Sequence, residues 1–261
     1  MTSKIYRVNT FVSESFSGNP ACVIPLKKWP SDKELLRIAK ENAVPETAFF
    51  IDNVHDFNLR WFTPDLEIDL CGHATLATAH VLKSVFNYYS NTIKFNTFSG
   101  PLTVSYLNDF YYLNFPSRKA HPAMLPKEIE LALSIQPKEV FKSRDYMLVY
   151  ESQQQIEDLK IERDIFDQIN LGHGGVVVTA KGDLVDFVSR FFTPQATILE
   201  DPVTGSSHCT LIPFWSSRLL KKDLEAFQLS QRGGYLICQD MSERVVIAGQ
   251  AKREFLKKSI F

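Results

Sequence analysis

The sequence has little that would direct it to a membrane or to a nucleic acid. No apolar run approaches the ~20 residues of a membrane-spanning helix, and the N-terminal residues lack the apolar core of a secretory signal peptide. The formal net charge is only −1, so no basic excess favours nucleic acid or an anionic membrane. These absences predict a cytoplasmic protein that binds neither nucleic acid nor membranes.

Metal-binding and disulfide patterns are also missing. The four cysteines are scattered without a C-x-x-C pair, and the six histidines show no H-E-x-x-H or comparable ligand spacing. The sequence therefore predicts no metal site and no disulfide framework. The cysteines are Cys22, Cys71, Cys209 and Cys238.

The length of 261 residues is enough for one large or two modest domains. Three prolines lie in a polar setting between Pro116 and Pro126, which favours a domain boundary. We therefore expect an N-terminal domain at 1–117 and a C-terminal domain at 118–261, with the final residues able to return to the first domain.

One stretch of sequence occurs twice, about half a chain apart. The first copy is Arg60-Trp-Phe-Thr-Pro64 followed by Asp69-Leu-Cys-Gly-His73, and the second is Arg190-Phe-Phe-Thr-Pro194 followed by Asp201-Pro-Val-Thr-Gly-Ser206. In each copy an apolar run stops at Thr-Pro, because proline has no amide hydrogen and restricts the residue before it. A loop with an acidic residue and a glycine then leads into a helix-like segment.

The repeated glycines, Gly72 and Gly205, are expected at helix starts. Free backbone amides and the helix dipole attract an anion there, and glycine lets a ligand approach the backbone closely. Two such starts, one in each half, predict a cleft that holds a small acid from both sides. The simpler interpretation of each copy alone is turn and cap chemistry.

Hydrophobic periodicity predicts an α+β fold in two similar halves. Glu46 precedes a buried strand at 47–51, and Leu76, Ala79, Leu82 and Phe86 have the spacing of an amphipathic helix packed on a sheet. Each half is expected to be a mostly antiparallel sheet wrapped around a central helix that starts at the repeated glycine.

Several motifs resemble the PhzF-like phenazine-biosynthesis family, in the same order and essentially from end to end. They are Gly18-Asn-Pro-Ala21, Pro45-Glu-Thr-Ala-Phe49, Arg60-x-Phe-Thr-Pro64, Leu70-Cys-Gly-His-Ala-Thr75, Glu200-Asp-Pro-Val-Thr-Gly-Ser-Ser-His208, Gln228-Leu-Ser-x-Arg-Gly-Gly234 and Gly249-Gln250. The resemblance implies the diaminopimelate-epimerase-like fold, with two pseudo-twofold-related domains. It also implies a cofactor-independent isomerase that moves a proton within a small carboxylate-bearing metabolite.

The resemblance further implies roles for individual residues. Glu46 matches the family's catalytic acid/base, and a carboxyl beside Phe49 and Phe50 suits proton exchange near neutrality. His73 and Asp201 match its other polar active-site residues. Residues assigned to substrate binding are Gly72, Gly205, Ser206 and Asn19, the last with loop support as the alternative.

Cys71 leaves a second enzymatic interpretation open. In the related epimerases, one cysteine before each helix forms a two-base pair, and Cys71 resembles the first. The second position holds Thr204, a far weaker base, so a proton shift through Glu46 is preferred over an amino-acid epimerase or racemase. A non-catalytic metabolite-binding or protein-interaction module is the third possibility, and a homodimer is the default assembly.

Overall fold

A computed structural model describes residues 4–254 of the protein. The described chain divides into two compact units, the first made of residues 4–114 and 248–254 and the second of Phe115–Ile247. The chain passes from the first unit to the second between Asn114 and Phe115, and it returns to the first unit at Ala248.

The first unit is a mostly antiparallel sheet with two helices. Strands β2 and β3 run parallel, as do β4 and β6, and the remaining neighbours from β1 to β8 pair in antiparallel fashion. The strands are β1 Tyr6–Val12, β2 Asn19–Leu26, β3 Glu46–Asp52, β4 Phe57–Phe62, β5 Glu67–Ile68, β6 Thr92–Thr97, β7 Gly100–Leu107 and β8 Phe110–Pro116, and the helices are α1 Asp32–Asn42 and α2 Gly72–Ser84.

The second unit repeats this order of pairings. Strands β11 and β12 run parallel, as do β13 and β15, at the positions that β2–β3 and β4–β6 hold in the first unit. The strands are β9 His121–Pro122, β10 Glu139–Lys142, β11 Tyr146–Val149, β12 Val176–Lys181, β13 Phe187–Phe192, β14 Glu200–Asp201, β15 Asp223–Gln228, β16 Gly234–Asp240 and β17 Arg244–Glu254, and the helices are α3 Lys127–Ala132, α4 Gln153–Asp158, α5 Arg163–Phe166 and α6 Gly205–Leu219.

The helices at the repeated glycines are more deeply enclosed than the sequence predicts. Every residue of α2 from Gly72 to Ala79 is buried, and Phe86 lies beyond its end and is half exposed. The prediction of an amphipathic helix was therefore wrong. Small side chains allow β1, β2 and β3 to pack closely on the helix. The hydroxyls of Thr75 and Thr78 donate to carbonyls one turn earlier, so they need no outside partner.

Helix α1 fixes the direction in which the side chains of β3 point. Its Leu35 and Ala39 pack with Phe49 in one apolar cluster. Successive side chains alternate across a strand, so Glu46 and Phe50 point to the opposite face. Phe49 is therefore not a wall of the Glu46 environment, contrary to the expectation from the sequence.

A bidentate arginine–glutamate pair braces the turn before each central helix. Arg60 donates to both carboxylate oxygens of Glu67 at 2.7 and 2.6 Å, and Arg190 donates to both of Glu200 at 2.8 and 3.0 Å. These two glutamates occupy equivalent positions in the two units. Glu67 pairs with Phe62 and Glu200 pairs with Phe192, and each phenylalanine directly precedes the Thr-Pro of its copy.

The acidic residues that the sequence paired across the repeat are not equivalent. Asp201 lies opposite Phe191, whereas Ile68 lies opposite the matching Trp61. Ile68 therefore holds the place of Asp201 in the first unit, and Asp69 lies one residue further along. The loop before Glu200 is longer than the one before Glu67, which shifts the sequence alignment between the copies.

His208 is a buried residue of α6. It is 0% exposed, and its Nδ1 donates to the carbonyl of Thr204 at 2.8 Å. Among the described residues its Nε2 contacts no hydrogen-bonding group. Burial lowers the pKa of His208 to about 4, so the ring is neutral at pH 7.

We predict that His208→Gln flattens the pH dependence of folding stability. The unfolded chain binds a proton at His208 below pH ~6.5 that the folded chain takes up only near pH 4, so stability falls as pH falls through this window. Two to three pKa units correspond to roughly 3 kcal/mol. Urea unfolding at pH 4.5 and 7 measures the difference.

The exposed His121 provides the matched control, since His121→Gln is expected to keep the wild-type slope. Burial also lowers the pKa of His80 to about 4. His208→Gln is therefore expected to keep a residual dependence of stability on pH, with the same sign. An unchanged slope in His208→Gln would contradict the assignment.

Candidate functional site

The start of β3 and the start of α2 bring Glu46 and His73 together in the first unit. Glu46 is the first residue of β3 and points to the face opposite α1, and His73 is the second residue of α2. Helix α2 packs on β1, β2 and β3. Two residues far apart in sequence are thus held at the same end of neighbouring elements.

The contact between them is short and buried. His73 Nε2 lies 3.0 Å from Glu46 Oε2, with the side chains 2% and 13% exposed. The two atoms are close but not aligned as a hydrogen bond, and neither has another hydrogen-bonding partner among the described residues. Glu46 thus keeps a small exposed fraction, whereas His73 is enclosed.

Cys71 is the third side chain of this group. Its Sγ lies 3.5 Å from Nδ1 of His73. Burial opposes the charged imidazole, but the Cys71 sulfur and the Glu46 carboxylate favour it more strongly and raise the pKa of His73 well above its usual value. Burial also raises the pKa of the Cys71 thiol, which leaves little thiolate to act as a base near neutrality.

The same three residues have the donor atoms of a metal site, with one atom from each lying within 4.8 Å of the others. Cys71 faces Nδ1 of His73, however, and Glu46 faces Nε2. A metal ion binds one imidazole nitrogen at about 2 Å and needs its other ligands on that side of the ring. These contacts at both ring nitrogens suit proton transfer through the imidazole.

Asn19 and the glycine before it lie at the same end of the sheet. Ala21 pairs with Glu46, so Asn19 precedes that pair on the neighbouring strand, where it is buried and its carbonyl accepts from the Thr10 hydroxyl at 3.3 Å. Gly18 has φ +68°, and a Cβ there would lie 2.1 Å from the Thr10 carbonyl oxygen. Only glycine fits this turn.

In the second unit a hydrogen-bonded network surrounds Asp201. The Thr204 hydroxyl donates to Asp201 Oδ2 at 2.5 Å. Gln228 Nε2 donates to the Asp201 carbonyl and to the Thr204 hydroxyl, while Gln228 Oε1 accepts from the Thr204 amide at 2.8 Å. Gln228 is 0% exposed and ties β15 to the turn before α6.

Ser206, at the start of α6, has a charged neighbour that the sequence did not reveal. Arg144 Nη2 donates to its hydroxyl at 2.9 Å, and Arg144 also donates to both oxygens of the buried Asp145 at 3.1 Å. Asp145 in turn accepts from the Gly175 amide at 2.9 Å. No motif marks Arg144, because a 62-residue separation hides its contact with Ser206.

The residues assigned from the sequence thus fall into two groups. The first unit holds Glu46, His73, Gly72 and Asn19, and the second holds Asp201, Gly205 and Ser206. Within each group the residues meet at the start of the central helix. Their roles in binding and catalysis stay predictions. Arg144, Thr204 and Gln228 are the neighbours that sequence reasoning missed or treated only in passing.

Comparison with known proteins identifies close relatives of the whole chain. A family model described as phenazine biosynthesis-like protein, PhzC-PhzF, matches residues 8–255. An uncharacterized isomerase of Pseudomonas aeruginosa is 43% identical over 251 residues, with 96% of each chain covered. The crystal structure of a PhzF family protein of Enterococcus faecalis has 44% identity and a TM-score of 0.87, covering 98% of this chain and 100% of that one.

More distant structures share the fold alone. A predicted epimerase of Pseudomonas aeruginosa is 17% identical and superposes with a TM-score of 0.71, covering 99% of this chain and 100% of that one. The predicted α+β, epimerase-like fold is therefore confirmed. Within the described chain, no helix combines the length and apolar character that crossing a membrane requires.

We predict that Gln228→Leu lowers the free energy of unfolding by about 1–3 kcal/mol, because it leaves the Thr204 amide without its acceptor and removes the donor to the Asp201 carbonyl. Chemical denaturation measures the loss. The exposed Gln239 provides the control, since Gln239→Leu is expected to stay within about 0.5 kcal/mol of wild type. Equal effects of the two substitutions would show that the network contributes nothing specific.

Proposed function

The chain belongs to the phenazine biosynthesis-like PhzC-PhzF family and is an isomerase of that family, and we propose that it moves a proton within a small carboxylate-bearing substrate. Glu46 is the general acid and base in this proposal. The observation that carries it is the buried contact of 3.0 Å between Glu46 and His73, beside the start of α2.

The Glu46–His73 pair has the properties that a proton shift needs. Glu46 retains an opening to solvent, whereas His73 is enclosed, so the carboxyl is the group that meets the substrate carbon. His73 favours its charged form, which stabilises negative charge on the carboxylate and on the electron-rich system left by proton loss. A carboxyl that removes a proton from one carbon then returns it to another.

The starts of α2 and α6 supply binding groups for an anion in this proposal. Amides that follow Gly72 and Gly205 bind the substrate carboxylate and the developing negative charge, aided by the helix dipoles. Ser206 and Asn19 are assigned to substrate binding, and Asp201 holds a substrate amine or orients a catalytic group. We propose that this chemistry needs no metal or organic cofactor, since a proton shift next to a carboxylate involves no redox step.

We predict that Glu46→Gln lowers solvent-deuterium incorporation by at least about 100-fold, because the amide cannot exchange the substrate proton. The probe is a panel of cyclic diene carboxylates, with and without an amine, incubated in deuterium oxide and analysed by mass spectrometry. Glu151→Gln is the control, because Glu151 is exposed and paired only with Lys138 at the surface. Equal incorporation by wild type and Glu46→Gln would remove the role assigned to Glu46.

An amino-acid epimerase or racemase that uses Cys71 is the second candidate. The cysteine next to the repeated glycine and its contact with His73 favour it. Burial of Cys71 and the presence of Thr204 at the second position weigh against a two-thiol mechanism. If the protein exchanges the α-proton of amino acids and Cys71→Ser abolishes this exchange, the result would support this candidate over a proton shift through Glu46.

A non-catalytic metabolite-binding or protein-interaction module is the remaining alternative. Binding of a small carboxylate, followed by calorimetry, without proton exchange at any carbon would favour it. Homodimer formation and a cytoplasmic location also stay predictions. Light scattering of the purified protein tests the first.

A further inference from the structure

The side chain before each repeated glycine does not cap its helix. Cys71 is the N-cap residue of α2 and Thr204 that of α6, both with extended backbone, and neither makes a side-chain cap hydrogen bond. Threonine commonly caps a helix by accepting from a backbone amide in the first turn. Here both side chains contact other side chains, and the Ala74 amide also lies near the Cys71 sulfur.

Each of these side chains contacts a residue assigned to catalysis. Thr204 donates its hydroxyl to Asp201 at 2.5 Å, and Cys71 places its sulfur 3.5 Å from Nδ1 of His73. Each N-cap side chain thus meets a polar side chain, although the partner positions differ, since Asp201 corresponds to Ile68 and His73 to Ser206. A buried cysteine that served only as a small apolar group would not be expected to meet a ring nitrogen at the position where its counterpart meets a carboxylate.

We propose that Cys71 is a positioning residue that holds Nδ1 of His73, so that Nε2 carries a proton and faces Glu46. A thiol both donates and accepts weak hydrogen bonds. With a neutral ring, S–H donates to Nδ1 and the single ring proton lies on Nε2. With a charged ring, Nδ1–H donates to sulfur, and Nε2–H still faces Glu46. This inference rests on the proposed function of Glu46 and His73.

The buried setting suits this role better than a role as a base. Cys71 is 4% exposed, so it meets His73 but has little access to a substrate. Burial favours the protonated thiol, which donates to Nδ1 when the ring is neutral. A positioning sulfur is also compatible with Thr204 at the second repeat, because no partner thiol is needed.

Ring tautomers observed by nitrogen-15 NMR test the inference without a substrate. The Glu46 carboxylate by itself favours a proton on Nε2, so the test uses the Glu46→Gln variant, whose amide both donates and accepts. We expect the neutral His73 of Glu46→Gln to carry its proton mainly on Nε2. Glu46→Gln/Cys71→Ala is expected to populate both tautomers. His73→Asn assigns the signal among the six histidines.

Two further double variants make the comparison specific. Glu46→Gln/Cys71→Ser keeps a donor at the same place and is expected to restore the proton on Nε2. Glu46→Gln/Cys22→Ala is the control, since Cys22 is an equally buried cysteine, also 4% exposed, in β2. The same tautomer populations in Glu46→Gln and in Glu46→Gln/Cys71→Ala would overturn the inference.

Exchange kinetics separate this inference from the proposed function. In the wild-type background, Cys71→Ala is expected to lower the rate constant of deuterium incorporation by roughly 100-fold with little change in KM, because the ring is misplaced and binding is not. Cys71→Ser is expected to lose less. If Glu46→Gln retains exchange, the proposed function fails, whereas the tautomer measurement still decides the role of Cys71.

Discussion

The bidentate arginine–glutamate pair is the interaction on which the rest of each unit depends. Arg60–Glu67 and Arg190–Glu200 join the end of a long strand to the short strand that leads into the central helix. Each pair is partly buried, and its two parallel hydrogen bonds fix direction as well as distance. Because the turn is held in this way, the residues before the glycine have one possible path into the helix.

Burial of α2 and α6 determines which groups the first turn of each helix contacts. A helix surrounded by strands brings its first turn, with the polar His73 or Ser206, into a buried setting. Buried polar groups require partners. In the first unit these are Cys71 and Glu46, and in the second they are Arg144 and the network of Asp201, Thr204 and Gln228. The polar contacts at the helix starts are thus a direct consequence of central, buried helices.

Two versions of one framework carry different chemistry. The strand pairings and the arginine–glutamate pairs repeat, but the first unit places an imidazole and a carboxylate in contact. In the second, the Asp201 carboxylate accepts from the Thr204 hydroxyl, and the Thr204 amide donates to Gln228. A duplicated scaffold permits this divergence, because the strands and the braced turns fix the path of the chain whichever side chains stand at the helix starts. The absence of a second thiol follows from the same divergence.

The sequence by itself determined the duplication, the α+β class, the central helices and the family, because Thr-Pro stops, glycine helix starts and alternating apolar residues are local signals. It did not predict the strands β10 and β15, or the burial of every residue of α2 from Gly72 to Ala79. It also paired Asp69 with Asp201, since a longer loop in the second copy conceals the true register. Only the tertiary structure decided which side of β3 Glu46 occupies, and that His73 contacts both Glu46 and Cys71 while Arg144 reaches Ser206. Those contacts join residues distant in the chain or depend on side-chain direction, and no local pattern records either.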